Sequence, residues 1–190
     1  ATVLATMGFK VYLFKDLRST PELSFTTRYL NCVGGIMITA SHNPPKYNGY
    51  KVYDELGCQL VPELADQVIE KIDAIQDIFS IPSGNFDELV EAGNIEILGE
   101  EIDNAYLEHV LTVKAQDVKK DNLSIVFTPL HGTASVKLVD LLKGEGYNVT
   151  PVAEQMGYIT MLTNYEYGFQ LVDNLMSMSA MDRRTATLEN

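Results

Sequence analysis

The sequence predicts an α/β protein with mixed, largely parallel sheets flanked by helices. Three observations predict it. A strand–helix–strand order runs over residues 9–39, the same order restarts at residues 124–152, and two strongly amphipathic helices lie between them. At 190 residues the chain is long enough for one good core or two small domains.

The elements follow in order. "FKVYLF" (Phe9 to Phe14) is a short run of strand-forming residues. In "STPELSFTTRYLN", Ser19 or Thr20 can cap a helix, with Pro21 in its first turn and Glu22 favourable at its positive end. Leu23, Phe25 and Leu30 supply its apolar face. "GGIMITA" is a buried strand, which makes the first unit strand, helix, strand, in the manner of a parallel pair. "YKVYDELGCQL" reads as a hairpin: Val52 and Tyr53, a turn over Asp54 to Gly57, then Cys58 to Leu60.

"PELADQVIEKIDAI" is the clearest amphipathic helix, with Leu64, Val68, Ile72 and Ile75 on one side. Residues 77–99 are mixed and turn-rich, with no strong periodicity. "EEIDNAYLEHVLTVKAQ" is a second helix, acidic at its start and carrying Lys114 near its end. His109 falls inside it as an ordinary surface or boundary residue. "SIVFT" (Ser124 to Thr128) meets Pro129, Thr133 is placed to cap the next helix, and Gly144 and Gly146 close it. From Met156 a third composition begins: a strand, a turn, an apolar helix, and the polar tail "MDRRTATLEN".

Three segments are expected: residues 1–120, a second α/β domain opening at 121–155 after the polar "KKDN", and a fragment over 156–190. Ala1 lies inside what reads as a helix end, so a start part-way through a domain is expected. The abrupt change at Gln155/Met156 reads as a fragment, a deletion, or a chain with omitted segments.

A formal net charge of −12 offers no basic face to a nucleic-acid backbone and argues against one as partner. A small phosphate ester needs only a few local donors and stays admissible. Cys32 and Cys58 lack metal spacing and are expected reduced and buried. No apolar run approaches membrane-spanning length, and the expected compartment is the cytosol.

The most informative stretch is "IMITASHNPPKYNGYK". A strand breaks off at Ser41-His42-Asn43, passes Pro44 and Pro45, and resumes after the strong turn pair Asn48-Gly49. A loop at the carboxyl end of a buried strand is where open α/β sheets hold ligands. Asn43, ahead of Pro44, can fold its side chain onto the loop's own amides. Ser41 and His42 do not read as a nucleophile and its base, because neighbours on extended chain point opposite ways. The glycines of a nucleophile elbow are also missing, their places taken by Thr39 and Asn43. On residue types alone the elbow is an ordinary turn, with serine as cap, histidine as decoration and lysine as solvated charge.

Read whole, "TASHNPPKYNGYK" resembles the phosphoserine loop of the α-D-phosphohexomutases, the phosphoglucomutase/phosphomannomutase family. Thr39 to Pro44 match its TASHNP, and Asn48, Gly49 and Lys51 match the N-G-x-K that follows. "TPELSF" and "GGIMITA" resemble the family's preceding segments, and "FTPLHGTA" resembles the opening of its second domain. "YITMLTNYEYGFQLVDNLMS" is more loosely similar to the start of a third domain. There Asn164 and Tyr165 depart from the usual Gly-Asn.

The resemblance implies a phosphohexomutase-like first domain with partial further domains. It implies interconversion of hexose 1-phosphate and hexose 6-phosphate, of glucose or mannose, through a sugar bisphosphate such as glucose 1,6-bisphosphate. Ser41 would carry the phosphoryl group. Lys51 would act near the proton transfer or on the phosphate, and His42 would donate to the transferred group. Asn43 and His131 would face substrate, although from the residues alone His131 is a turn histidine ahead of a helix. Mg²⁺ would be held by the phosphoserine oxygen of Ser41 and three aspartates of a D-x-D-x-D-R loop. That loop is absent; "AMDRRT" keeps only Asp182-Arg183. The chain alone is therefore expected to be inactive. The alternatives are a catalytically inactive relative acting as a binding module, or another phosphate-handling enzyme such as a phosphatase. Oligomeric state is not readable.

Overall fold

The computed structural model describes residues 1–39, 43, 49–116, 120, 123–135 and 137–157. They divide into two units. One comprises Ala1–Met37 with Tyr50–Asn122; the other takes in the described residues of Ile38–Gly49 and those from Leu123 onward. Among the described residues no helix is long and apolar enough to cross a membrane.

The first unit opens with helix α1 (Thr2–Thr6) and strand β1 (Val11–Phe14), followed by helix α2 (Thr20–Tyr29). The Ser19 side chain caps α2 by accepting from the Glu22 amide, with Pro21 in the first turn, as the sequence predicts. Strands β2 (Gly35–Thr39) and β3 (Gly49–Tyr53) come next in the chain, with Ile38, Thr39 and Gly49 counted in the other unit, then helix α3 (Pro62–Asp73). The turn-rich region resolves into a 3₁₀ turn (Ile78–Ser80), helix α4 (Phe86–Glu91) and strand β4 (Ile95–Leu98). The Asn85 side chain caps α4 by accepting from the amides of Asp87 and Glu88. Helix α5 (Glu100–Thr112) opens on Glu100, Glu101 and Asp103 at its positive end. It ends two residues before Lys114, which the sequence pattern places inside the helix.

The sheet pairing differs from the sequence expectation in one respect. β1 lies parallel to β4, Val11 opposite Ile95 through Phe14 opposite Leu98, and β2 pairs with β3 instead. The reason is connectivity: β2 is followed by a short loop and a returning strand, and a chain that returns directly pairs antiparallel. A parallel partner needs a crossover, and α4 packs on β4 after one. Ile95, Leu98 and Ile102 are buried beside this pair. Phe25 anchors α2 against α5, its ring 5.2 Å from Tyr29, 5.6 Å from Tyr106 and 5.3 Å from His109.

α3 is the amphipathic helix expected, but none of its residues is buried; Leu64 is 46% and Ile72 50% exposed. Cys58 is exposed, against the expectation of burial, because it sits on the surface turn following β3; Cys32 is half-buried. That turn has the predicted span. The Asp54 amide donates to the Cys58 carbonyl and the Leu60 amide to Val52, while the Asp54 carboxylate accepts from the amides of Leu56 and Cys58.

The second unit pairs strand β5 (Ser124–Phe127) in parallel with β6 (Asn148–Pro151), with helix α6 (Leu138–Gly144) packed on β6. Gly146 closes α6 in the left-handed region at φ +85°, so the predicted stop is present. Thr133 does not cap α6. It begins a 3₁₀ turn (Thr133–Ser135), and the helix starts only after Lys137. Leu130 and His131, just before this turn, both take positive φ, outside helical geometry.

α2 is fastened to the turn after β3. The Ser24 hydroxyl donates to the Gly57 carbonyl at 2.6 Å, and Arg28 Nη1 donates to the Leu56 carbonyl at 3.1 Å. Gly57 sits at φ +71°, where a Cβ would lie 2.3 Å from the Ser24 carbonyl oxygen. Gly57→Ala is expected to lower unfolding stability by about 2–4 kcal/mol, read as the urea midpoint of the chain. Gly144→Ala, where a Cβ meets nothing within 4 Å, is expected to leave that midpoint nearly unchanged.

Candidate functional site

β2 and β3 flank, in the chain, the segment that holds Ser41. The strands approach closely at both ends. A Cβ on Gly34 would lie 2.8 Å from the Tyr53 carbonyl oxygen, and one on Gly49 would lie 2.5 Å from that of Thr39. Residue 34 therefore faces 53 while 39 faces 49, an antiparallel arrangement. The glycine of the Asn48-Gly49 pair has a packing reason beyond turn formation: only a hydrogen fits against Thr39. Gly35 is similarly confined, since a Cβ there would meet the Thr27 hydroxyl at 2.7 Å. Thr39 and Gly49, the described residues on either side of this segment, thus approach closely through their backbones.

Of the residues singled out in the sequence, Ser41 and His42 lie outside the described residues. Asn43 is exposed in a bend. Lys51 is half-buried on β3, two positions after Gly49 and therefore on the same strand face as Gly49 and the buried Tyr53.

His131 belongs to the loop after β5, at the carboxyl end of the parallel pair. It stands at φ +62°, directly after Leu130 at φ +48°. Non-glycine residues seldom occupy this region, and two in succession persist only where neighbours hold them. The neighbours are residues 155–157, just past β6. The His131 amide donates to the Gln155 carbonyl at 3.1 Å, and His131 Nδ1 lies 2.7 Å from the Gly157 carbonyl oxygen. The Thr128 hydroxyl donates to the Gln155 side-chain carbonyl and accepts from the Leu130 amide. A carbonyl only accepts, so Nδ1 carries the hydrogen and, in the neutral ring, Nε2 presents its lone pair.

Sequence reasoning misses Thr128, Gln155 and Gly157. Thr128 has a local signal, a hydroxyl residue between a strand and a proline. Gln155 and Gly157 have none, because their role depends on strand pairing. The described residues also contain no group of three or more His, Cys, Asp or Glu able to hold a metal ion. Mg²⁺ takes near-octahedral oxygen ligation, so the described residues do not fit it.

Residues 1–78 match the family model for the phosphoglucomutase/phosphomannomutase alpha/beta/alpha domain I. A phosphoglucomutase of Staphylococcus saprophyticus subsp. saprophyticus is 38% identical over 148 residues, which are 78% of this chain and 27% of the relative. A phosphoglucomutase of Staphylococcus aureus (strain N315) is 40% identical over 152 residues, 78% of this chain and 26% of the relative. A crystal structure from Thermus thermophilus, provisionally named a phosphomannomutase, superposes with a TM-score of 0.59 at 30% identity. The match covers 80% of this chain and 32% of that one. The chain spans about a quarter of the length of the curated relatives it matches. The matched segment, residues 1–78, contains the whole TASHNP string with β2 and β3 on either side, and over that segment the chain is similar to the phosphoglucomutase/phosphomannomutase alpha/beta/alpha domain I.

Proposed function

We propose that this chain is the phosphoserine-loop part of a mutase that interconverts hexose 1-phosphate and hexose 6-phosphate. The observation that carries the reading is the TASHNP–N-G-x-K string mounted on a hairpin whose two ends meet at Thr39 and Gly49. Phosphoryl transfer asks the protein for positioning and charge neutralisation more than for covalent chemistry. A loop pinned at its base serves the first need.

In this reading the Ser41 oxygen begins phosphorylated. Its phosphoryl group passes to the free hydroxyl of a hexose monophosphate, the P–O bond to Ser41 breaks, and the hydroxyl proton leaves to a base. The resulting bisphosphate, glucose 1,6-bisphosphate for a glucose substrate, then returns its other phosphoryl group to Ser41. Lys51 supplies positive charge beside the loop, and His42 donates to the phosphoryl oxygens. Asn43 shapes the loop, and His131 meets substrate through Nε2. The names of the relatives favour glucose over mannose. In the whole protein the phosphoserine oxygen of Ser41 would help hold Mg²⁺, which would neutralise charge on the transferring phosphoryl group. The cytosol, where hexose phosphates are found, is the proposed compartment.

A second reading applies to these 190 residues acting alone. The sequence holds no D-x-D-x-D-R string, which favours a module that binds hexose phosphate without turning it over.

Conversion of glucose 1-phosphate to glucose 6-phosphate, followed with a coupled dehydrogenase, tests the first reading in the whole protein. Ser41→Ala is expected to reduce it by at least about 10³-fold, in keeping with loss of a covalent carrier. Retained conversion would remove Ser41 from the mechanism, and phosphate release without isomerisation would indicate a phosphatase. Gly49→Ala is expected to lower kcat by about 10-fold or more with the fold retained on circular dichroism, because it displaces the loop base. For the isolated chain, calorimetric binding of glucose 1-phosphate without conversion supports the second reading.

A further inference from the structure

Away from the loop, three charged side chains are buried together. Arg18 precedes α2, Glu22 lies in the first turn of α2, and Asp103 lies in the first turn of α5. Their side chains are 9%, 10% and 2% exposed. Arg18 Nε donates to Asp103 Oδ1 at 2.7 Å and Nη2 to Oδ2 at 2.9 Å, a two-pronged pair. That pairing takes up the fork. Glu22 Oε1 stands 3.7 Å from Arg18 Nε, too far for a hydrogen bond. With all three ionised, the buried cluster would carry two negative charges against one positive.

We propose that Glu22 and Asp103 share a single proton behind Arg18, making the cluster a pH-dependent clamp between α2 and α5 that loosens when the proton is lost. Geometry decides which carboxyl holds it. Asp103 has both oxygens committed as acceptors to a guanidinium, so it stays ionised. Glu22 meets Arg18 only at 3.7 Å, so its carboxyl is the one free to stay protonated and, as the neutral acid, to donate to the neighbouring Asp103.

Burial, then the hydrogen bond to Asp103 and its negative charge, push the Glu22 carboxyl from 4.5 up to about 7; Arg18 and the Ser19 contact pull the other way. The Arg18 guanidinium is itself held above its ordinary range by the hydrogen bond to Asp103. The groups facing Glu22 are thus Arg18 and Ser19 from its own segment and Asp103 from α5, with Asp16 acting on Arg18. One turn along, His109 of α5 meets Phe25 rather than Glu22.

Folding holds a proton on an acid whose folded value stands above its unfolded one. The stabilisation is complete below about 4.5 and is lost as pH rises through about 7. The consequence reaches the hairpin, because the same α2 holds the turn after β3 through Ser24 and Arg28. Loosening α2 therefore loosens the support of β3.

The test is urea unfolding of the 190-residue chain between pH 4.5 and 8.5, wild type against Glu22→Gln. The glutamine amide reproduces the donating, uncharged state at every pH. Over that range the wild-type unfolding equilibrium is expected to move toward the unfolded state by up to about 150-fold more than that of Glu22→Gln, following the shift from 4.5 to about 7. An unchanged pH slope in Glu22→Gln overturns the proposal. Should that variant fail to fold, carbon-detected NMR of the wild-type Glu22 carboxyl decides. A midpoint near 7 supports the clamp, and one near 4.5 overturns it, leaving the mutase reading untouched in either case.

Discussion

The structure depends on one close backbone approach, the α-carbon of Gly49 against the carbonyl of Thr39. It fixes where residues 40–48 leave β2 and where they rejoin at β3. A group that must hand over a phosphoryl and take one back gains from a base that does not move between the two events. Gly34 against Tyr53 and Gly35 against Thr27 extend the same logic down the strand, so small residues recur wherever β2 is crowded.

The hairpin is held in turn by side chains from α2. Ser24 and Arg28 bind the turn at Leu56 and Gly57, and Phe25 on the same helix packs against Tyr106 and His109 of α5. The "TPELSF" segment therefore supports the loop without belonging to it. Its glutamate is the exception to ordinary packing: a carboxyl with little solvent, a cation beyond hydrogen-bond reach and an ionised neighbour. Breaking a buried charge cluster is expensive, but so is forming one with a charge in excess. A shared proton resolves the excess.

Local signals in the sequence are legible because their chemistry is local. Ser19 with Pro21 marks a helix start, Asp54 and Gly57 mark a turn, and Gly146 marks a stop. Each acts on residues within a few positions. Pairing across distance is not legible. β4 is only four residues, and its partner β1 lies more than 80 positions earlier. Arg18 and Asp103 are separated by 85 positions, and no spacing rule links them. α3 is legible as a helix, but its apolar side does not say what covers it. At the site, the TASHNP string marks the loop and its candidate serine, while the braces on His131 emerge only once β5 and β6 are paired.

The claim at the centre is that Ser41 serves as a phosphoryl carrier. Mass spectrometry of the protein after exposure to glucose 1,6-bisphosphate tests it most directly, with proteolysis to locate the modification. The account predicts one phosphoryl group, on Ser41, which disappears when hexose monophosphate is added in excess. A phosphoryl group located on another residue, or none on the peptide containing Ser41, would contradict it.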